Sequence, residues 1–229
     1  MKAQISTGIE PEVETGASVI ARVFKKHGIK RVFTFPGGTI APVFEELIKE
    51  GIEIICARHE QGAGYMALAI ARLTRRPQVV MVTSGPGATN LATVVADAYF
   101  DSTPLIAITG QVGTGDLKSG RPVRQVGFQQ VDTVAMMRPI SKAAFLPESP
   151  EDLYVVVEEA IAISTAGRPG PVVIDLPMDV QRGSVKNPSR PQARVASANP
   201  AIDPKTIEEV ARLISEASRP VIFAGNGVL

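Results

Sequence analysis

Two kinds of apolar pattern alternate along the chain from about residue 14 to residue 180. Apolar residues at helical spacing predict helices over 15–27, 40–50, 59–73, 84–99 and 150–165. Short, almost continuous apolar runs predict strands over 31–35, 52–57, 78–83, 104–109 and 171–176. Because these runs do not alternate with polar residues, we expect strands that are buried on both faces. The order of elements predicts an α/β fold with three layers, α/β/α, around a central parallel sheet.

The turns that follow the first three predicted strands hold the candidate chemistry. They cover 36–38, 58–60 and 83–87, and in a parallel sheet the carboxyl ends of the strands lie at one edge, where ligands bind. The segment Gly85-Pro86-Gly87 opens a predicted helix but lacks the Lys-Ser/Thr pair of a Walker loop. Asn90 stands where the dinucleotide motif has its third glycine. The mismatches with the Walker loop and the dinucleotide motif favour a tight turn at 84–87 and argue against an unrelated nucleotide-binding protein.

Glu60 lies in the first turn of the third predicted helix. A glutamate there is often only a solvated residue that the helix dipole favours. Small residues follow it at helical spacing, however, and allow a second helix to approach closely. They are Gly62, Ala63, Gly64, Ala67 and Ala71, matched on the next helix by Ala88, Ala92 and Ala96. We therefore expect Glu60 to lie at the head of a buried helix contact, shielded from water.

The composition changes after Val180. Residues 183–205 are rich in proline and contain no aromatic residue, which predicts a linker. An amphipathic helix over 206–217 and a strand over 220–224 follow. One helix and one strand are too few to enclose a core, so 206–229 are expected to be the truncated start of a second, central domain. The alternative is that both pack on the first domain as an extra layer.

Charge and length exclude several classes of protein. The 229 residues carry 24 Lys and Arg against 23 Asp and Glu, so no basic excess indicates nucleic-acid binding. No apolar run reaches the roughly 18 residues that cross a membrane. The polar start does not resemble a secretion signal. These features predict a cytoplasmic protein with neither a nucleic-acid nor a membrane partner.

Several motifs occur in a recognisable order. They are Phe35-Pro36-Gly37-Gly38, Arg58-His59-Glu60-Gln61-Gly62-Ala63, the run from Thr83 to Asn90, Asp97-Ala98-Tyr99, the run from Pro104 to Gln111, and Gly167-Arg168-Pro169-Gly170-Pro171. Over about residues 10–182 this series resembles the N-terminal, pyrimidine-binding domain of thiamine-diphosphate enzymes, and most closely the large subunit of acetolactate synthase.

The resemblance implies a role for each matching residue. Glu60 matches the catalytic glutamate that hydrogen-bonds N1′ of the cofactor's aminopyrimidine and helps to form the carbanion that attacks a 2-oxoacid. Phe128 and Gln129 match a pair on the substrate side, and Arg168 matches an arginine near a flavin, FAD. The residues that match those around the pyrimidine of thiamine diphosphate are Pro36, Gly37, Gly38, Thr83, Pro86, Gly87 and Asn90.

Departures from the family pattern leave parts of this interpretation open. Gln130 replaces a glutamate, Met178 replaces a lysine, and 112–127 is a longer, more basic loop. These changes leave both the substrate and the use of FAD open.

The 229 residues also contain no Gly-Asp-Gly motif with a downstream Asn pair, which in the family binds Mg²⁺ and the diphosphate. We therefore expect half of a cofactor site, no turnover by the chain alone, and a homodimer or higher homo-oligomer formed through the helices that start at Glu60 and Gly87. The alternative is a non-catalytic or complementing partner subunit, or an oligomerisation module.

Overall fold

The computed structural model describes residues 14–117, 120–186 and 202–228. The chain divides into two compact units, 1–195 and 196–229. Strands and helices alternate along the first unit. Its described strands are β1 (Arg31–Phe35), β2 (Glu53–Cys56), β3 (Gln78–Val82), β4 (Leu105–Gln111), β5 (Ala143–Phe145) and β6 (Pro171–Pro177). Its helices are α1 (Gly16–Lys26), α2 (Ala41–Lys49), α3 (Glu60–Thr74), α4 (Pro86–Phe100), α5 (Thr133–Met137), α6 (Leu153–Thr165) and α7 (Met178–Arg182).

All described strands belong to one parallel sheet, in the order β2-β1-β3-β4-β6-β5. Successive residues of each strand point to opposite faces, so the sheet separates two hydrophobic clusters. Val79 and Met81 of β3 join the cluster that α1, α2 and α6 cover. Val80 and Val82 join the cluster under α3 and α4. The predicted three-layer α/β/α fold with a parallel sheet is confirmed.

The structure adds two short α-helices, α5 and α7, and one short strand, β5, to the prediction. The helix α5 and the edge strand β5 lie in a stretch where no element was predicted. Five-residue helices and three-residue strands carry too few positions for a hydrophobic period to show. Asp132 nevertheless caps α5, because its side chain accepts a hydrogen bond from the backbone N–H of Ala135 at 2.9 Å.

The second unit contains helix α8 (Pro204–Glu216), close to the predicted 206–217. The strand predicted over 220–224 was wrong, because the structure assigns no strand there. A strand needs a partner to satisfy its backbone, and the described residues of this unit offer none. Most of the predicted linker, 187–201, lies outside the described residues. Within the described ranges, no helix has the length and apolar character needed to cross a membrane.

Candidate functional site

The first three strands of the sheet bring their following turns to the same edge, as predicted. The turn after β1 packs directly on the turn after β3. A Cβ atom added at Gly37 would lie 2.4 Å from Cβ of Thr83, so only glycine fits there. The structure therefore places Pro36, Gly37 and Gly38 beside the run that starts at Thr83.

Glu60 begins helix α3 at this edge. His59 is the N-cap residue, and its Nδ1 accepts the backbone N–H of Gln61 at 3.1 Å. The side chain of Glu60 is almost fully buried, with 6% of the residue exposed. Its Oε2 accepts a hydrogen bond of 2.9 Å from Nδ2 of Asn90 on α4. This bond fixes the orientation of the carboxylate, which a buried charge needs in order to be stable.

The second carboxylate oxygen of Glu60, Oε1, lies close to Gly87. Among the residues that the structure describes, none donates a hydrogen bond to Oε1. A Cβ atom added at Gly87 would lie 3.6 Å from this oxygen and 2.8 Å from Cγ2 of Thr83. Gly87 therefore packs against Thr83, and the absence of a side chain brings the first turn of α4, which begins at Pro86, close to Oε1.

Helices α3 and α4 pack closely within the chain where the small residue Gly64 of α3 meets Val94 of α4. A Cβ atom at Gly64 would lie 2.9 Å from both methyl groups of Val94. Ala63, Ala67 and Ala71 are fully buried. The predicted close approach of the two helices is confirmed, and it brings Glu60 within reach of Asn90.

Phe128 and Gln129 lie in the loop between β4 and α5. Phe128 is 79% exposed. Gln129 has a positive φ of 57°, and a Cβ atom at Gly85 would lie 2.6 Å from its carbonyl oxygen. Gly85 itself has a φ of 56°, which a residue with a side chain adopts only at a cost. The loop therefore rests on the turn that carries Pro86 and Gly87.

The profile of the family described as "Thiamine pyrophosphate enzyme, N-terminal TPP binding domain" matches residues 14–136, more than half of the chain. This match decides the family. The chain belongs to the thiamine pyrophosphate enzymes.

Curated relatives of this thiamine pyrophosphate enzyme are acetolactate synthases. The isozyme 1 large subunit of Escherichia coli (strain K12) is 43% identical over 219 residues, which cover 94% of this chain and 37% of that protein. The mitochondrial acetolactate synthase of Schizosaccharomyces pombe is 40% identical, and the alignment covers 94% of this chain and 33% of that protein. A probable large subunit of Methanocaldococcus jannaschii is 40% identical, with 93% of this chain and 36% of the relative covered. The chain thus spans about a third of the length of these relatives.

The described residues fit the pyrimidine ring of the cofactor that the family implies, thiamine diphosphate. A ring nitrogen that carries a proton needs an acceptor, and Oε1 of Glu60 accepts no hydrogen bond from the described residues. Gly87 lies beside that oxygen. Asn90 keeps Oε2 engaged, so a single oxygen is left for the ring.

Arg168 lies away from this group of residues in the thiamine pyrophosphate enzyme. Its Nε donates to Oγ of Ser102 at 2.7 Å, and its Nη2 donates to the carbonyl oxygen of Phe100 at 3.1 Å. Ser102 and Arg168 precede β4 and β6, so they lie at the amino end of the sheet. Glu60 lies at the carboxyl end, and the structure does not bring Arg168 together with it.

Sequence reasoning missed Thr39, which holds the turn after β3. Its Oγ1 accepts the backbone N–H of Ser84 at 2.9 Å and lies 2.9 Å from Oγ1 of Thr83. A Cβ atom at Gly110 would lie 2.4 Å from Oγ1 of Thr39, so the hydroxyl is enclosed. Its place directly after Pro36-Gly37-Gly38 was the available signal.

Sequence reasoning also missed a buried pair behind the loop of Phe128. Asp175 on β6 and Gln111 on β4 are 2% and 1% exposed. Burial raises the pKa of Asp175 to about 6, although hydrogen bonds from Thr109 and Gln111 act to lower it. Both residues line a cavity of about 460 Å³ with Arg124. Gln111 ends the run that starts at Pro104, but that run does not indicate its partner, because only the pairing of β4 with β6 brings Gln111 and Asp175 together.

Proposed function

We propose that this chain supplies the pyrimidine half of the thiamine diphosphate site in a cytoplasmic enzyme of the acetolactate synthase type. The reaction is decarboxylation of a 2-oxoacid followed by carboligation. The observation that carries the proposal is the carboxylate of the buried Glu60, which Asn90 orients and whose second oxygen lies beside Gly87 without a donor among the described residues. Mg²⁺ and the diphosphate are held by a domain that carries the Gly-Asp-Gly motif.

Thiamine diphosphate supplies, when bound, a carbon nucleophile for the 2-oxoacid. Glu60 holds a proton at the ring nitrogen, because its open oxygen accepts an N–H hydrogen bond. Asn90 fixes the carboxylate, and Pro36, Gly37, Gly38, Thr83, Pro86 and Gly87 shape the surrounding surface.

Phe128 and Gln129 face the 2-oxoacid in this proposal. Their loop rests on the turn that carries Gly87, so it lies beside the space reserved for the ring. A flavin contact by Arg168 stays a prediction, and the proposed reaction does not use it.

A second copy of this chain is proposed to cover the solvent side of α3 and α4. Leu73 and Phe100 are 85% and 70% exposed there, and Tyr65 and Met66 are also exposed. Exposed apolar side chains on neighbouring helices are typical of interfaces. Ala63, Ala67 and Ala71 are buried within the chain, so the larger exposed residues are the ones that a homo-oligomer would bury.

The proposal is tested with Glu60→Gln in the assembled enzyme. The chain is combined with the polypeptide that carries the Gly-Asp-Gly motif, taken from the same reading frame or a neighbouring gene. Glutamine keeps the size of Glu60 but removes the negative charge that holds the ring proton. We expect the rate of pyruvate consumption to fall by about 100-fold or more.

The matched control is Glu45→Gln on α2, where the side chain is 77% exposed. It makes the same chemical change away from the site and should leave the rate unchanged. Full activity of Glu60→Gln, with unchanged circular dichroism, would exclude Glu60 from the chemistry and favour a non-catalytic role for the chain.

The chain alone is tested by calorimetric titration with thiamine diphosphate and Mg²⁺, followed by the same pyruvate assay. We expect no turnover, since this chain holds only the pyrimidine half of the site. Turnover by the purified chain would refute the half-site proposal.

A further inference from the structure

A buried polar pair connects two neighbouring strands at the carboxyl edge of the sheet. Thr109 on β4 lies in register with Asp175 on β6, and its Oγ1 donates to Oδ1 of Asp175 at 2.6 Å. Nε2 of Gln111 donates to Oδ2 of Asp175 at 2.8 Å. Both carboxylate oxygens are therefore satisfied, as a buried charge requires.

The amide of Gln111 also reaches the loop that follows. The same Nε2 donates to the backbone carbonyl of Val131 at 2.9 Å, and Oε1 accepts the backbone N–H of Val112 at 2.9 Å. Gln111 thus connects Asp175, fixed in the sheet, to a backbone position two residues after Gln129. We call residues 127–131 the substrate loop.

The substrate loop is also held by close packing. A Cβ atom at Gly127 would lie 2.6 Å from Val112. Gln129 has a positive φ and packs against Gly85. A left-handed backbone is strained at a residue with a side chain, so surrounding contacts must impose it. The hydrogen bond from Gln111 to Val131 is one of these contacts.

We propose that Gln111 and Asp175 are positioning residues that hold the substrate loop, so that they set the affinity for the 2-oxoacid without affecting the binding of thiamine diphosphate. The inference rests on the proposed function, in which the loop presents Phe128 and Gln129 to the substrate. Glu60 and Asn90 lie on other elements and do not contact Gln111, so cofactor binding should be insensitive to the pair.

The kinetic test uses Gln111→Met in the assembled enzyme. Methionine keeps the length of the side chain but donates nothing to Asp175 or Val131. We expect KM for pyruvate to rise about tenfold and Kd for thiamine diphosphate to change less than about twofold. The matched control is Thr109→Val, which removes one bond to Asp175 but none to the loop and should keep the wild-type KM. Equal increases in KM for both variants would overturn the proposal.

A reciprocal exchange separates positioning from stability. In Gln111→Glu combined with Asp175→Asn, the new amide donates to the new carboxylate, whose other oxygen accepts the N–H of Val112. The carbonyl of Val131 loses its donor. We expect the urea midpoint of this double variant to lie closer to that of the wild type than the midpoint of Gln111→Met does. Its KM for pyruvate should stay as high as that of Gln111→Met. A wild-type KM in the exchange variant would overturn the proposal. If Gln111→Met does not fold, the KM of the exchange variant is the result that tests the proposal.

Hydrogen exchange on the chain by itself provides a readout independent of activity. The N–H of Gly127 donates to the carbonyl of Asp116 at 3.0 Å, and that of Gln130 donates to the carbonyl of Gly127 at 3.2 Å. Gln111→Met should speed exchange of both amides about tenfold or more, and Thr109→Val should not. Unchanged exchange refutes the positioning role. Faster exchange together with an assembled wild-type enzyme that consumes no pyruvate refutes the proposed function alone.

Discussion

Asp175 carries a charge in one of the least accessible places of the first unit. Burial raises its pKa from 3.8 to about 6, so the folded chain holds this proton more tightly than the unfolded chain. The stability contributed by this group is therefore complete below pH 3.8 and is lost as the pH rises through about 6. Near neutral pH the charged carboxylate lowers the free energy of unfolding.

Asp175→Asn is expected to abolish this dependence. We expect the unfolding free energy of the wild type, measured relative to the variant, to fall by about 2 kcal/mol between about pH 4.5 and about pH 7.5. Urea unfolding of both chains across that interval measures the difference. Asp116→Asn, at an exposed position, controls for the loss of one negative charge. A difference between wild type and Asp175→Asn that does not change with pH would contradict the prediction.

At the residue scale, the sequence is informative where a function depends on a local motif. Glu60 stands at the start of a helix, and Gly87 and Asn90 lie within one run of residues, so their motifs could be found without a structure. Gln111 and Asp175 are separated by more than sixty residues and meet only through strand pairing. Their roles depend on the register of β4 and β6, which apolar patterning does not specify.

At the element scale, the contact between α3 and α4 depends on Gly64. Alanine favours a helix by about 1 kcal/mol over glycine, but here its methyl group would lie 2.9 Å from the stiff, buried Val94. Overpacking of this kind costs about 1–3 kcal/mol. Gly64→Ala is therefore expected to lower the free energy of unfolding, as measured by urea titration.

The matched variant is Gly62→Ala on the same helix. The nearest atom to its new Cβ is Cβ of Ala57 at 3.8 Å, an ordinary contact. We expect no loss of stability and a gain of up to about 1 kcal/mol. A stability gain for Gly64→Ala equal to that for Gly62→Ala would show that the helices do not pack as closely as the structure indicates.

The strands with a continuous apolar run were predictable, including the four-residue β2, whereas the three-residue β5 was not. β1, β3, β4 and β6 are runs of apolar residues buried on both faces, and each was predicted within two residues of its bounds. β5 is an edge strand of only three residues, all half-buried, so its sequence carries no clear period. The run over 220–224 shows that apolar character alone does not make a strand where the described residues provide no partner strand.

At the scale of the whole molecule, the proposed homo-oligomer depends on the outer side of α3 and α4. Leu73→Glu would place a charge in the proposed interface, where desolvation opposes association. We expect the wild-type chain to sediment as a dimer or larger species and Leu73→Glu to shift towards monomer, with Kd raised about tenfold or more. Sedimentation velocity over a range of concentrations measures this.

The control for that experiment is Ile48→Glu on α2. Ile48 is 66% exposed but belongs to a helix on the other face of the sheet. It introduces the same charge and should leave sedimentation unchanged. A monomeric wild-type chain, or equal effects of the two variants, would refute self-association through α3 and α4.

The hydrogen bond from Asn90 to Glu60 has a consequence for which molecules the pocket selects. Because the amide already fixes the carboxylate, the site is preorganised and a ligand does not lose affinity by ordering that side chain. The open oxygen can only accept, so a heterocycle with an N–H or a protonated nitrogen at this point completes the pairing. An analogue with a C–H there would leave a desolvated anion unmatched, and discrimination of about 10⁴-fold between such near-identical rings is what unpaired buried groups produce.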